Sequence, residues 1–230
     1  MRFMLRISEI FSSIQGEGRY VETPTVFVRT TGCNLRCWFC DTPFTSWRPV
    51  GEQWTWQAVA ERVLREKISH VVLTGGEPLL QPDLVPLSES LRASGRFITV
   101  ETAGTVFRPV FADLMSISPK LTNSQPLAPA IWQDRHRKAQ ENDVVIRQMI
   151  REYPYQLKFV VDVPNDLVEI AGYLQRFPEV DPEHVWLMPQ GISSAELTSR
   201  TEWLAPWAKE RGYRVSPRRH IELFGHHRGT

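Results

Sequence analysis

The stretch HVVLTGGEPLLQPDLVPLSESLRASGRFITVE, residues 70–101, reads as strand, glycine turn, helix and strand in succession. Its outer runs, HVVLT (70–74) and RFITVE (96–101), are short and rich in β-branched and aromatic residues. PDLVPLSESLRA between them has helical character. Strands this apolar fit a parallel sheet covered on both faces, and the helix between them is then a right-handed crossover.

The same alternation extends in both directions. TVFVR (25–29) precedes the unit, and LMSIS (114–118), LKFVV (157–161) and HVWLM (184–188) follow, with YRVSP near residue 213 as a last strand. WTWQAVAERVLREK, ENDVVIRQMIREY, PNDLVEIAGYLQRF and AELTSRTEWLAPWAKER supply the helices. A unit of roughly 25–40 residues predicts an α/β fold, a partial or modified (β/α)6-type TIM barrel with parallel strands. One domain is expected over residues 1–230. The polar, proline-containing LTNSQPLAPAIWQDRHRKAQ (121–140) is expected to be an irregular insertion.

Hydrophobic residues make up 42% and charged residues 23%, the balance of a soluble globular protein. The formal net charge of +1 supplies no bulk field for nucleic acid or an anionic membrane, so neither is expected as a partner. MRFMLRISEIFSSIQGEG lacks the apolar run of a signal peptide, and no stretch approaches the ~18 apolar residues of a membrane span. With an odd cysteine count as well, a reducing cytoplasm is the expected compartment.

In such a sheet, chemistry collects where strands end. Cys33 to Cys40 follow the first strand and Gly75-Gly76-Glu77 the second; Glu101 ends the third, Ser118-Pro119-Lys120 follow the fourth, and Met188-Pro189-Gln190-Gly191 the sixth. All three cysteines lie in TTGCNLRCWFCDTPFTSW (30–47), spaced C-x3-C-x2-C. Thiolates in threes suit an iron–sulfur cubane with one iron left without a protein ligand, with Phe39 as a shield. The alternatives are a Cys3His zinc site, for which the nearest histidine in sequence is His70, or three unconnected thiols.

The cysteine spacing, with an aromatic before the last cysteine, resembles the signature of the radical S-adenosylmethionine enzymes. TGGEP (74–78) resembles the turn those enzymes set against the methionyl amino group. The resemblance implies a 4Fe–4S cluster on Cys33, Cys37 and Cys40, S-adenosylmethionine on the open iron, and hydrogen abstraction by a 5′-deoxyadenosyl radical. It further implies cofactor contacts at Gly76, Glu77, Glu101, Ser118, Pro119, Lys120, Met188, Pro189, Gln190 and Gly191.

Within that superfamily, EIFSSIQGEG (9–18) is similar to the opening of the 7-carboxy-7-deazaguanine synthase family. The likeness continues through Arg29, CDT (40–42), SPK (118–120), LKFVV and a terminal G-x-x-R-G. It implies a carbon–nitrogen lyase that contracts 6-carboxy-5,6,7,8-tetrahydropterin to 7-carboxy-7-deazaguanine with loss of ammonia, on the route to 7-deazapurines such as queuosine. Substrate contacts are implied at Ile14, Gln15, Gly16, Glu17, Arg29, Thr74 and the main-chain carboxylate of Thr230, and a Mg2+ ligand at Thr42. Asp41 is either a partner behind that ion or a helix N-cap. Glu17 and His220 are candidates for a general base, and no catalytic residue is assigned. A reductase such as flavodoxin or ferredoxin and a homodimer are also implied.

Two departures stand out. Ala103 sits in ETAGT where the family commonly has Asn, and Ile221-Glu222-Leu223 replaces the usual apolar run near the end. The rival readings are a glycyl-radical activating enzyme acting on a partner protein, and a zinc-binding interaction protein.

Overall fold

The seven runs marked out above join two further strands in one nine-stranded sheet in a computed structural model that describes residues 4–230. Its strands are β1 (Leu5–Ile14), β2 (Pro24–Thr30), β3 (Glu52–Trp54), β4 (His70–Gly75), β5 (Phe97–Thr102), β6 (Leu114–Ile117), β7 (Tyr155–Val161), β8 (Val185–Pro189) and β9 (Arg214–Val215). Their order is β3-β1-β2-β4-β5-β6-β7-β8-β9. Pairing is parallel from β2 onward, and β1 runs antiparallel to both of its neighbours.

Helices α1 (Trp56–Leu64), α2 (Leu84–Ala93), α3 (Ala130–Gln140), α4 (Asp143–Glu152), α5 (Asp166–Gln175) and α6 (Ser194–Glu210) lie in the connections, and α7 (Arg219–Phe224) follows β9. Their starts follow local chemistry. Thr55 caps α1 by accepting from Ala58 N, and Ser193 with Glu196 forms a capping box on α6.

Alternation along the strands separates two faces. Val26, Val28, Val71, Leu73, Leu157 and Phe159 pack in one core with helix residues such as Val63, Leu87, Met149 and Ile170. Burying a Leu or Phe in this way contributes about 1.5–3 kcal/mol. The alternate positions, among them Arg29, Thr74, Glu101, Ser116 and Lys158, face a cavity touched by β1, β2 and β4 to β8. The sheet therefore wraps around its own inner face without closing, which is the partial barrel expected.

The structure adds four elements: β1, β3, α3 and α7. LRISEIFSSI forms a ten-residue strand that the motif reading left unassigned. The segment expected to be irregular contains α3, whose only buried residue is His136. A helix that buries one polar side chain has no apolar stripe, so periodicity gave it no signal. His70, weighed above as a zinc ligand, sits where β4 begins, bonded to Thr25 and Thr99 at 3.0 and 2.8 Å. That is the end of the sheet opposite the cysteines.

Candidate active site

The loop after β2 carries the cysteines and is held from several sides. Gly32 N donates to Thr45 O at 2.8 Å, Trp47 Nε1 to Cys37 O at 3.0 Å, and Trp38 Nε1 to Asn123 O at 2.7 Å. Arg36 N donates to His136 Nδ1 at 2.9 Å, and the other ring nitrogen of His136 lies 2.9 Å from Ser124 Oγ. Helix α3 is thus a buttress for the cysteine loop.

Cys33, Cys37 and Cys40 all line the cavity. Burial pushes the Cys33 and Cys37 thiols up to about 12, so they ionise only when a cation meets the charge. Among the described residues no three His, Cys, Asp or Glu side chains converge to hold one ion. Three thiols along one cavity wall suit a cluster with one open iron, whereas a structural zinc would need a fourth ligand. His136 is no fourth ligand either, since both of its nitrogens are engaged.

The glycine turn packs against this loop. A Cβ on Gly76 would lie 2.3 Å from Gly32 O and 2.9 Å from the Cys33 Cβ, so no side chain fits there. Glu77 N donates to Gly32 O at 2.9 Å. The Glu77 side chain is fully buried and accepts from Thr102 Oγ1, Ala103 N and Leu79 N at 2.8, 2.9 and 3.2 Å. Burial raises its pKa despite those donors. Its carboxylate therefore braces the turn after β5, outside the cavity.

The end of β1 forms the opposite wall. Gln15 Nε2 and Thr74 Oγ1 donate to the two oxygens of Glu101 at 3.1 and 2.9 Å. Glu17 pairs with Lys158 and, at 3.1 Å, with Arg218 Nε. Burial alone would raise the Glu17 pKa, but Lys158 and Arg218 outweigh it and hold the carboxyl well below its ordinary range. With both oxygens taken, Glu17 is a poor base. Arg218 also pairs with Asp41 and donates to Gly191 O at 2.7 Å. Asp41 is accordingly an ion-pair partner, and Thr42 holds the N-cap position of the short turn Pro43–Thr45.

His220 faces the same space, its pKa lowered by burial against the pull of Glu17. Gly16 makes room for it: a Cβ there would lie 1.9 Å from His220 Nδ1. Lys120, also at the cavity, is pushed down by burial and donates to Ser118 O and Oγ at 2.7 and 2.6 Å. Thr42 Oγ1 lies 3.9 Å from Cys40 Sγ, which places cluster and ion candidates side by side.

The chain is similar to known proteins over nearly its whole length. The Radical SAM superfamily matches over residues 27–121. A 7-carboxy-7-deazaguanine synthase of Rhodopirellula baltica is 44% identical, covering 98% of this chain and 89% of that protein. The chain belongs to the 7-carboxy-7-deazaguanine synthase family. A synthase of Halobacterium salinarum is likewise 44% identical over 96% of this chain and 90% of its own. The crystal structure of QueE from Escherichia coli covers 93% of each chain at a TM-score of 0.64 and 24% identity, a likeness of fold.

Most of the residues singled out from sequence meet in the one cavity: Ile14 to Glu17, Arg29, Thr42, Thr74, Gly76, Glu101, Ser118, Lys120, Met188, Gln190 and Thr230. Glu77, Pro119, Pro189 and Gly191 do not line it, and the Gly191 carbonyl accepts from Arg218. Ser116, Lys158 and Arg218 line it without having been singled out. For Ser116 and Lys158 the signal was present, as polar residues at alternate positions of apolar strands.

Proposed function

We propose that this chain is a radical S-adenosylmethionine lyase that contracts 6-carboxy-5,6,7,8-tetrahydropterin to 7-carboxy-7-deazaguanine and ammonia. One observation carries the reading. A cavity of about 480 Å3 has the three cysteines on one wall and Gln15, Glu17, Arg29 and Lys158 on another. When bound there, a 4Fe–4S cluster with S-adenosylmethionine supplies a 5′-deoxyadenosyl radical for hydrogen abstraction.

The chain's own residues bind, orient and exclude water. Cys33, Cys37 and Cys40 hold the cluster, while Gly76, Glu101, Ser118, Lys120, Met188 and Gln190 flank S-adenosylmethionine. Glu77, Pro119, Pro189 and Gly191 keep that wall in place. The backbone from Ile14 to Gly16 reads the amide edge of the pterin, with Gln15 and Thr74 oriented through Glu101. Arg29 is a planar, charge-assisted donor to the substrate carboxylate, and Thr230 approaches from the tail. Thr42 is the residue that would offer an oxygen to a Mg2+ ion, which would orient the substrate there. Burial lowers the His220 pKa, and the ring is not held in ion pairs as both oxygens of Glu17 are, so it is better placed than Glu17 to accept a proton. A one-electron reductase such as flavodoxin or ferredoxin and a homodimer belong to the same reading.

Anaerobic turnover of the reconstituted protein with carboxytetrahydropterin, with and without magnesium, is the test. Deazaguanine is expected, faster with magnesium; none under either condition refutes the assignment.

A further inference from the structure

Glu9, the first residue of EIFSSIQGEG, has no part in the chemistry above, yet it occupies a built position. Strand β1 pairs with β2 so that Glu9 faces Arg29, and then slips so that Ile7 faces Thr30. Ser8 is the extra residue of that bulge. A bulge takes one residue out of the ladder and re-aims its neighbour.

Both consequences meet one side chain from the far end of the chain. Ser8 O and Oγ accept from Arg228 Nη2 at 3.0 and 3.3 Å. Glu9 accepts from Arg29 Nε at 2.7 Å through one oxygen and from Arg228 Nε at 2.8 Å through the other. The Arg228 guanidinium also lies over Phe44, 4.4 Å from the ring centroid. The Glu9 side chain is 13% exposed, so these partners rather than water take up most of its hydrogen-bonding capacity. Residues 226–230 line the cavity, and His226 Nε2 lies 3.0 Å from Asp41 O. Among the described residues no hydrogen bond or ion pair engages the terminal nitrogens of Arg29, whose guanidinium lies over Phe11, 5.6 Å from the ring centroid, and lines the cavity.

We propose that Glu9 is a positioning residue with two tasks. Through Arg228 it latches the C-terminal tail over the cavity, and through the Nε of Arg29 it aims the guanidinium fork at an incoming carboxylate. The second task rests on the reading that Arg29 takes the substrate carboxylate; the first does not.

Hydrogen exchange of residues 225–230 in the reconstituted enzyme without substrate tests the latch. E9Q is expected to speed that exchange by roughly tenfold or more, the scale of a lost charge-assisted hydrogen bond. R228Q, changed at a side chain 48% exposed where folding is not at stake, is expected to do the same. E9Q is also expected to raise the KM for carboxytetrahydropterin roughly tenfold with kcat little changed, and E9D to recover part of both effects. Exchange as in the wild type for both E9Q and R228Q overturns the latch. An R29Q enzyme with wild-type KM overturns the Arg29 reading and the aiming task, and the tail exchange stands apart from that result.

Discussion

Replacing Arg218 with Met should be the most damaging single change outside the cysteines. Its side chain is 5% exposed and joins three segments: Glu17 after β1, Asp41 beside the last cysteine, and Gly191 after β8. Methionine fills similar volume and leaves both carboxylates short of a partner. Breaking a buried ion pair from one side costs about 3–5 kcal/mol. Two observations favour the lower end, about 3 kcal/mol: Glu17 keeps Lys158, and the Asp41 side chain is 38% exposed, so water takes up part of its charge. Against a total stability of about 5–15 kcal/mol, that is a large fraction. The assay is urea unfolding followed by tryptophan fluorescence, with E17Q and the double variant completing a cycle. The double variant should lose less than the sum of the single changes, because the two residues share one interaction. The pH dependence has a definite sign. The Glu17 pKa is held low in the folded protein, so its contribution is present above the ordinary carboxylate range and lost as pH falls toward the depressed value. The gap between wild type and R218M should therefore be widest near neutrality and narrow below about pH 4. A gap under about 1 kcal/mol at pH 7, strict additivity, or a gap that widens in acid would refute the reasoning.

Three further outcomes are expected. His136→Ala removes the acceptor for Arg36 N behind the cysteine loop, so reconstituted protein should lose iron to a chelator several times faster while its far-UV circular dichroism is unchanged; equal loss rates count against the buttress. Glu77→Gln turns an NH2 group toward one of three donors and should cost about 1–3 kcal/mol by thermal unfolding. A variant as stable as wild type would show that the brace is not needed. Thr42→Val keeps shape and removes the hydroxyl, so activation by magnesium should disappear with iron content intact; activation as in wild type removes Thr42 from the ion.

The parts of this protein legible in sequence are those whose physics is local. HVVLT and RFITVE mark strands because β-branched runs between turns are strands in most contexts, and both appear within a residue of their expected ends. The cysteine loop and the Gly-Gly turn were legible for a related reason, although the turn serves partly another purpose. Gly76 is required by the close approach of Gly32 and Cys33, as well as by any ligand. Glu77 shows the limit of motif reading: its position in the turn was right, but its side chain points inward to brace the segment after β5. Helix α3 was missed because its face toward the protein is a histidine and an indole under Arg36 rather than an apolar stripe.

Arg218 marks a deeper limit. Its partners are 201 and 177 residues away, and nothing in PRRHIEL separates the arginine that turns inward from Arg219, which pairs on the surface with Glu22 and Glu222. Only the sheet decides. Its inner face brings Glu17 and Lys158 together, and the turn after β9 places Arg218 between Glu17 and Asp41. The ion pairs that tie the first strand, the cysteine loop and the C-terminal segment together are consequences of the fold. For that reason a change at Arg218 should be felt at both walls of the cavity, while the same change at Arg219 should be felt at neither.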